Sequence, residues 1–501
     1  MAGAKKTRYP IIYVRGYAMT QSEISETTST PYMGFEAGST KIRQQWDRSV
    51  KRVFFESPIV RLRKDYDYDD MYRDGLQIES GKIPPQTVII HRYYDRADPD
   101  FGDGKVPSVQ EAAEELSVLI LRIRDQVCVD GQMAPKDFKV YLVAHSMGGL
   151  VVRCFLQNPK AGANEARACV DKVFTFATPH NGIEMGGINV PGFFALWDMN
   201  NFSRDNMRKY LAISKPEVPV HSLDGKFSPE RFFCLVGTNS KDYSVAGGAS
   251  RWLAGELSDG LVRIANAYVD DAPRAHVFRS HSGYFGIVNS EEGYQNLTRF
   301  LFGDIAVEGD LELEALPLPP AVQKEVDKGK HVNVGYYFEV AVSVRGAVDY
   351  DLTRRSVKDE SAIQRTREEL VDRATGKIRG DARQPQLFSV FLDSTRRPPA
   401  KRDLVFTVQL AVSTSSYEVA DLLLTGSHIP GEFLFRNTIQ IGATPPAEEN
   451  ASWKVRFVLT DEQWSGTEMQ DAELRDGRYY IPLQNDKGFK AQLRLAPRPW
   501  E

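Results

Sequence analysis

The sequence predicts an α/β fold, a mostly parallel sheet covered by helices, followed by an all-β sandwich. Three observations carry this. Strand and helix signals alternate from about residue 8 to 305, a long amphipathic helix separates the second and third strand signals, and short period-2 runs dominate beyond residue 321. In order, strands are expected at Ile11 to Val14, Thr87 to Tyr93, Lys139 to Ala144, Lys172 to Ala177, Phe232 to Gly237 and Ala275 to Arg279. The helix before the third strand starts at a capping box, Ser108 with Glu111. Val109, Ala112, Ala113, Leu116, Ile120, Ile123 and Val127 then recur near the 3.6 period. Glu291 to Phe302 is expected as the closing helix of this part, which spans residues 1–305.

Two stretches exceed what a simple connection needs and are expected to be cap insertions, at about 18–85 and 184–229. The first holds a basic amphipathic segment in which Ile42, Trp46, Val50, Val53 and Phe54 fall on one face between Lys41, Arg43, Arg48, Lys51 and Arg52. Such a segment suits peripheral contact with a membrane. The second holds Phe193, Phe194, Leu196 and Trp197 in an otherwise polar loop region, candidates for an apolar underside that receives an acyl chain. After these, residues 306–320 read as a Pro-rich linker. Residues 321–501 follow with strand patterns at Tyr336 to Val344, Leu387 to Leu392, Leu404 to Val412, Glu432 to Gln440, Trp453 to Leu459, Tyr479 to Leu483 and Phe489 to Leu495, the content of a β-sandwich accessory domain. The charge-rich interlude Thr353 to Arg383 is expected as a solvated loop or short helix.

Composition narrows the function classes. A chain of 501 residues with 42% apolar and 26% charged residues can bury a large core, and a formal net charge of −4 provides no attraction for nucleic acid. No stretch has the length of a signal h-region or a membrane-spanning helix, so a cytoplasmic protein is expected, with signal-independent export compatible. Cys128, Cys154, Cys169 and Cys234 lack metal-ligand spacing, and neither metal nor cofactor is expected.

The chemistry-bearing segment is Lys139-Val140-Tyr141-Leu142-Val143-Ala144-His145-Ser146-Met147-Gly148-Gly149-Leu150-Val151-Val152, a β-branched strand running through a serine into an apolar helix. A serine on so sharp a turn requires small residues two positions before and after it, here Ala144 and Gly148, while Gly149 lets the helix pack closely. The helix N-terminus beyond it offers backbone N–H groups to a developing oxyanion, so acyl transfer at Ser146 is the expected chemistry.

At these residues, A-H-S-M-G-G, the chain resembles the lipase and esterase branch of the α/β-hydrolase family. The resemblance implies a nucleophile elbow at Ser146, then an acid and a base later in the chain. Ser258-Asp259-Gly260-Leu261-Val262 is similar to the acid segment of bacterial lipases and implies Asp259; Arg279-Ser280-His281-Ser282-Gly283 offers His281 as base. Asp242, Asp270 and Asp271 compete as acids from polar turns, His276 reads as an in-strand residue, and His180, in A-T-P-H-N-G, as a loop residue near the pocket. The oxyanion donors expected are Met147 N–H and Tyr17 N–H, the latter from Arg15-Gly16-Tyr17, where arginine replaces the family's usual histidine. The substrate implied is a lipid or other acyl ester. A phospholipase or acyltransferase acting at a membrane uses the same residues, and a non-catalytic scaffold that binds through the sandwich is the rival of another class.

Overall fold

The computed structural model describes residues 7–16, 30, 32–36, 40–44, 48, 50–54, 57–70, 82–100, 102–129, 133–183, 202–240, 258–282, 286–344, 351–353, 363–380, 385–396, 403–419, 429–446, 451–460 and 469–501. Two compact units result: Met1–Arg274 with Arg279–Phe302, and Gly303–Glu501 with Ala275–Phe278. Among the described residues no helix is long and apolar enough to cross a membrane.

In chain order the strands up to residue 302 are β1 (Ile11–Val14), a hairpin of β2 (Thr40–Gln44) and β3 (Val50–Phe54), then β4 (Asp69–Asp70), β5 (Thr87–Ile90), β6 (Val140–His145), β7 (Val170–Phe176), β8 (Phe232–Gly237) and β9 (Arg274–Val277). Seven of these form one sheet in the order β4-β5-β1-β6-β7-β8-β9. The pairs β4·β5, β1·β5, β1·β6, β6·β7 and β7·β8 are all parallel, and every residue of β6 is buried, which explains its unbroken apolar run. The helices are α1 (Pro58–Tyr66), α2 (Val109–Val127), α3 (Gly148–Gln157), α4 (Asn164–Ala168), α5 (Arg204–Tyr210) and α6 (Glu291–Phe302). This is the α/β-hydrolase arrangement.

Local chemistry places these elements. Ser108 Oγ accepts from Glu111 N (3.1 Å) while Glu111 returns the bond to Ser108 N (2.8 Å), so α2 begins at its capping box, and all seven of its periodic apolar residues are buried. Lys172, buried on β7, donates from Nζ to Leu301 O (3.0 Å) at the end of α6, a cation at the negative pole of the helix. From β1 the chain runs to β4 and β5 on one side of the sheet and then to β6 on the other. Between β1 and β6 the strand order therefore reverses, and the crevice where ligands collect in such sheets opens at their C-terminal ends.

Two expectations are corrected. The basic segment from Lys41 to Arg52, whose apolar residues are expected on one face, folds as a hairpin in which β2 and β3 pair antiparallel, with Lys41 opposite Val53 and Ile42 opposite Arg52. Its density of β-branched residues, Thr40, Ile42, Val50 and Val53, favours the extended form over a helix. Nor is 306–320 a linker. β10 (Ile305–Ala315) pairs antiparallel with two other strands, burying Val307, Leu311 and Leu313 while Glu308, Asp310, Glu312 and Glu314 point away from the core. Acidic residues alternating with apolar ones are a strand signal, which the prolines of Leu316-Pro317-Leu318-Pro319-Pro320 obscure.

The second unit continues with α7 (Pro320–Asp327), β11 (Val332–Asn333), β12 (Gly335–Val344), β13 (Asp351–Thr353), β14 (Ile363–Thr366), α8 (Arg367–Leu370), β15 (Gln386–Leu392), β16 (Leu404–Thr414), β17 (Glu418–Val419), β18 (Phe433–Thr444), β19 (Lys454–Leu459), β20 (Gln470–Asp471), β21 (Glu473–Arg475), β22 (Arg478–Gln484) and β23 (Lys490–Pro499). One antiparallel sheet runs β15-β10-β23-β22-β21, the other β13-β12-β16-β18-β19-β20 with β14 beside β12. Side chains from both sheets, among them Leu311, Ile481 and Leu493 from the first and Phe338, Val408 and Ile439 from the second, form one buried core.

Candidate active site

Ser146 follows β6 directly and adopts a left-handed backbone conformation, φ 52°, before α3 begins two residues later. Ordinary residues avoid this region, so the turn must be held from outside. Ser146 N donates to Phe176 O (2.9 Å), and Ser146 O accepts from Thr178 Oγ1 (2.8 Å) and Gly149 N (3.1 Å). Three glycines make room. A Cβ on Gly16 would stand 2.4 Å from Ser146 Cβ, one on Gly148 2.1 Å from Val14 O, and one on Gly149 2.2 Å from Thr178 Oγ1. Gly148 is thus the close approach of helix to strand, and Gly149 makes room for the loop after β7.

The structure brings Ser146, His281 and Asp259 together. His281 Nε2 lies 2.9 Å from Ser146 Oγ, and His281 Nδ1 lies 2.8 Å from Asp259 Oδ2. Asp259 is buried; its Oδ1 accepts from the backbone N–H groups of Leu261 (3.0 Å) and Val262 (2.8 Å). The Asp-Gly-Leu-Val turn therefore folds around its own carboxylate, with Gly260 at φ 98° turning the chain. Gly237, at the end of β8, lies against both loops: a Cβ there would meet Arg279 O at 2.7 Å and Asp259 Cβ at 2.8 Å. Nothing near Gly237 in the sequence signals that role.

The loop carrying His281 is clamped by Asp259 and by groups that sequence reasoning does not find. Arg279 forms a two-pronged ion pair with Glu292 (3.0 and 3.0 Å), Ile287 N donates to Ser280 O (2.9 Å), and His281 N donates to Asp259 O (3.0 Å). His145 Nε2 lies 2.9 Å from His281 O. Arg153, fully buried in α3, donates to Gln157 Oε1 (2.9 Å) and to the carbonyls of His180 (2.8 Å), Val220 (2.6 Å) and Ser222 (2.8 Å), fixing the loops after β7 and before β8. Burial lowers its guanidinium to about 10, so it stays charged at neutral pH. A lone arginine in Leu150-Val151-Val152-Arg153-Cys154-Phe155-Leu156 is the signal that could reveal it, because an isolated charge in an apolar helix must be paired or hydrogen-bonded.

On the oxyanion side, Gly16 borders Ser146, and the described residues stop there; Tyr17 lies outside them. Arg15 braces the preceding turn, donating through its guanidinium to Met33 O, while Tyr93 Oη donates to Arg15 O (2.8 Å). Met147 opens α3 and is buried. Phe193, Phe194, Leu196 and Trp197 lie outside the described residues, as does Asp242. Among the competing acids, Asp270 pairs with His221 Nε2 (2.9 Å) instead of His281, and Asp271 sits in a turn at φ 58°. His180 bonds Thr175 Oγ1 (3.1 Å), and His276 is buried on β9. Among the described residues no group of acidic, cysteine and histidine side chains forms a metal site.

Burial keeps several imidazoles neutral. It lowers His91 to about 4 and pushes His145 and His180 well below the usual 6.5, His145 being further opposed by neighbouring His281 and Arg15. The unfolded chain protonates these rings near 6.5 and the folded chain does not, so stability is full above that value. It is lost as pH falls below 6.5, for His91 down to about 4. For His91, whose Nε2 donates to Ala112 O (2.9 Å), the loss reaches about 2 kcal/mol at pH 5. Urea midpoints at pH 7 and pH 5 should therefore diverge in the unsubstituted protein and diverge less in His91→Gln; an equal divergence in both would contradict this assignment.

Residues 98–209 match the family model described as PGAP1-like alpha/beta domain, a stretch that holds the Ser146 elbow but neither Asp259 nor His281. Similar solved structures include the metagenomic carboxyl esterase MGS0156 (14% identity, 56% of this chain and 66% of that one, TM-score 0.31) and a hydrolase, described as a putative cell surface enzyme, from Lactobacillus plantarum WCFS1 (12%, 64% and 97%, TM-score 0.26). Thermogutta terrifontis esterase 2 is a third (13%, 60% and 83%, TM-score 0.23). The chain thus spans just under two thirds of the first of these esterases. No curated protein matches the sequence.

Proposed function

We propose that this α/β-hydrolase, PGAP1-like over residues 98–209, is a serine carboxylic-ester hydrolase of lipase type. The observation that carries the reading is the unbroken hydrogen-bonded chain from Asp259 through His281 to Ser146, ending on a serine held in strain at the mouth of a helix. A serine hydroxyl is a weak nucleophile at neutral pH. His281 Nε2, 2.9 Å away, takes its proton as Oγ attacks the ester carbonyl carbon. The carbonyl π electrons move to oxygen, and the resulting oxyanion is held by Met147 N–H, with Tyr17 N–H as second donor. Collapse expels the alcohol, which takes the proton from His281, and leaves an acyl group on Ser146. Water enters, gives a proton to His281 as its oxygen attacks the acyl carbon, and collapse breaks the bond to Ser146 Oγ, which takes the proton back from His281 as the acid leaves. Throughout, Asp259 stabilises the imidazolium and holds the tautomer in which Nδ1 carries hydrogen.

The substrate class that suits this chemistry is a lipid or other acyl ester. Incubation with a fluorophosphonate probe, followed by peptide mass mapping, is expected to place one label on Ser146, with labelling blocked by a slowly deacylating ester. A panel of triacylglycerols, phospholipids and p-nitrophenyl esters then identifies the products. Absence of label, or label on another serine, would refute the reading.

A further inference from the structure

We infer that His145 is a positioning residue that holds the main chain of His281, keeping the base in register after Ser146 Oγ has been acylated. The inference rests on the esterase reading. Four polar groups of His281 are engaged, two by each of two segments. The acid segment holds it through Nδ1 to Asp259 Oδ2 (2.8 Å) and through its backbone N–H to Asp259 O (3.0 Å). The end of β6 holds it through Nε2 to Ser146 Oγ (2.9 Å) and through its carbonyl, which accepts from His145 Nε2 (2.9 Å). His145 and Ser146 are adjacent, so one short piece of strand carries both the nucleophile and the second tether.

The two tethers differ in lifetime. The bond between Ser146 Oγ and His281 Nε2 ends when Oγ becomes the ester oxygen of the acyl-enzyme, because its proton leaves with the alcohol. The bond from His145 to the carbonyl of His281 takes no part in the chemistry and persists. During deacylation it still ties β6 to the base, at the stage when His281 must hold a water against the acyl carbon. Donation to a carbonyl places hydrogen on Nε2 of His145, and burial keeps the ring neutral. That neutrality matters because the two rings lie 5.0 Å apart, and a charged His145 would oppose the imidazolium that His281 becomes. Burial of His145, foremost, and the nearby Arg15 guanidinium favour the neutral form.

The test is pre-steady-state hydrolysis of p-nitrophenyl butyrate by the full chain, which separates acylation (the burst) from deacylation (the steady rate). His145→Phe keeps the ring and removes the donor; His145→Gln returns an N–H at similar reach; His145→Asn is too short to reach and substitutes for the phenylalanine variant if that one does not fold. In His145→Phe or His145→Asn, deacylation is expected to fall about tenfold or more while the burst changes by less than about threefold, so kcat and KM fall together. His145→Gln should recover most of the deacylation rate. Equal loss in both steps, no loss in either, or a glutamine variant no better than phenylalanine would overturn the inference. If the unsubstituted protein forms no acyl-enzyme, the esterase reading fails separately. The downfield proton resonance of His281 Nδ1–H then decides alone: sharp in the unsubstituted and glutamine proteins and broadened in the others supports the tether, and identical resonances in all refute it.

Discussion

Replacing Ser146 by alanine is expected to lower kcat by about six orders of magnitude while leaving the melting temperature unchanged, because nucleophile and base act as a unit. Loss of chemistry and loss of fold separate cleanly at this position. Alanine keeps the Cβ that rests against Gly16, and it keeps the backbone bonds to Phe176, Thr178 and Gly149 that hold the left-handed turn. Only Oγ disappears, and its partner His281 Nε2 is left facing the crevice. What remains is the oxyanion site and substrate binding, roughly 10³ to 10⁴ over the uncatalysed reaction. Ester turnover and differential scanning calorimetry on the same preparation check both halves. Retention of more than about a thousandth of the original kcat would mean that another group is the nucleophile.

Asp259→Asn should cost about four orders of magnitude in kcat, again with little change in stability. Asparagine is nearly isosteric, and its oxygen can still accept from the N–H groups of Leu261 and Val262, so the turn survives. Its amide nitrogen then faces His281 Nδ1, and two donors cannot bond each other. The imidazole responds by moving its hydrogen to Nε2, which leaves no lone pair to take the proton of Ser146. Asp270→Asn is the paired control, since that carboxylate serves His221, and it should keep turnover near the original. An active Asp259→Asn beside an inactive Asp270→Asn would reverse the assignment of the acid.

What the chain order reveals about this site depends on how local each feature is. The elbow is legible because strand, serine and helix are contiguous, and Asp259 because its carboxylate binds the turn that carries it. The start of α2 is legible for the same reason: both partners of its capping box lie within one turn. His145, by contrast, meets a carbonyl 136 residues further on, and Gly237 has meaning only once two distant loops approach it. No pattern in the neighbouring sequence encodes either. The hairpin of β2 and β3 illustrates a different limit, because the apolar spacing of the segment does not by itself reveal strand pairing, and β-branched residues are the local sign of it. At β10 the alternation is present in full, but a run of prolines immediately afterwards draws the eye to a linker.

The parallel order of the sheet has a temporal side. Ser146 and His281 are separated by 135 residues of chain, and β7 must be laid beside β6 and β8 beside β7 before the loop carrying His281 has a place to go. At ribosomal rates of about 5–20 residues per second, roughly 7 to 27 seconds pass between synthesis of the serine and synthesis of the histidine. For that interval the nascent chain carries a hydroxyl with no base, chemically no different from any other serine. The chemistry proposed for Ser146 is thus absent while the apolar faces of the sheet are still exposed, and arises only when the loop carrying His281 has been laid in place.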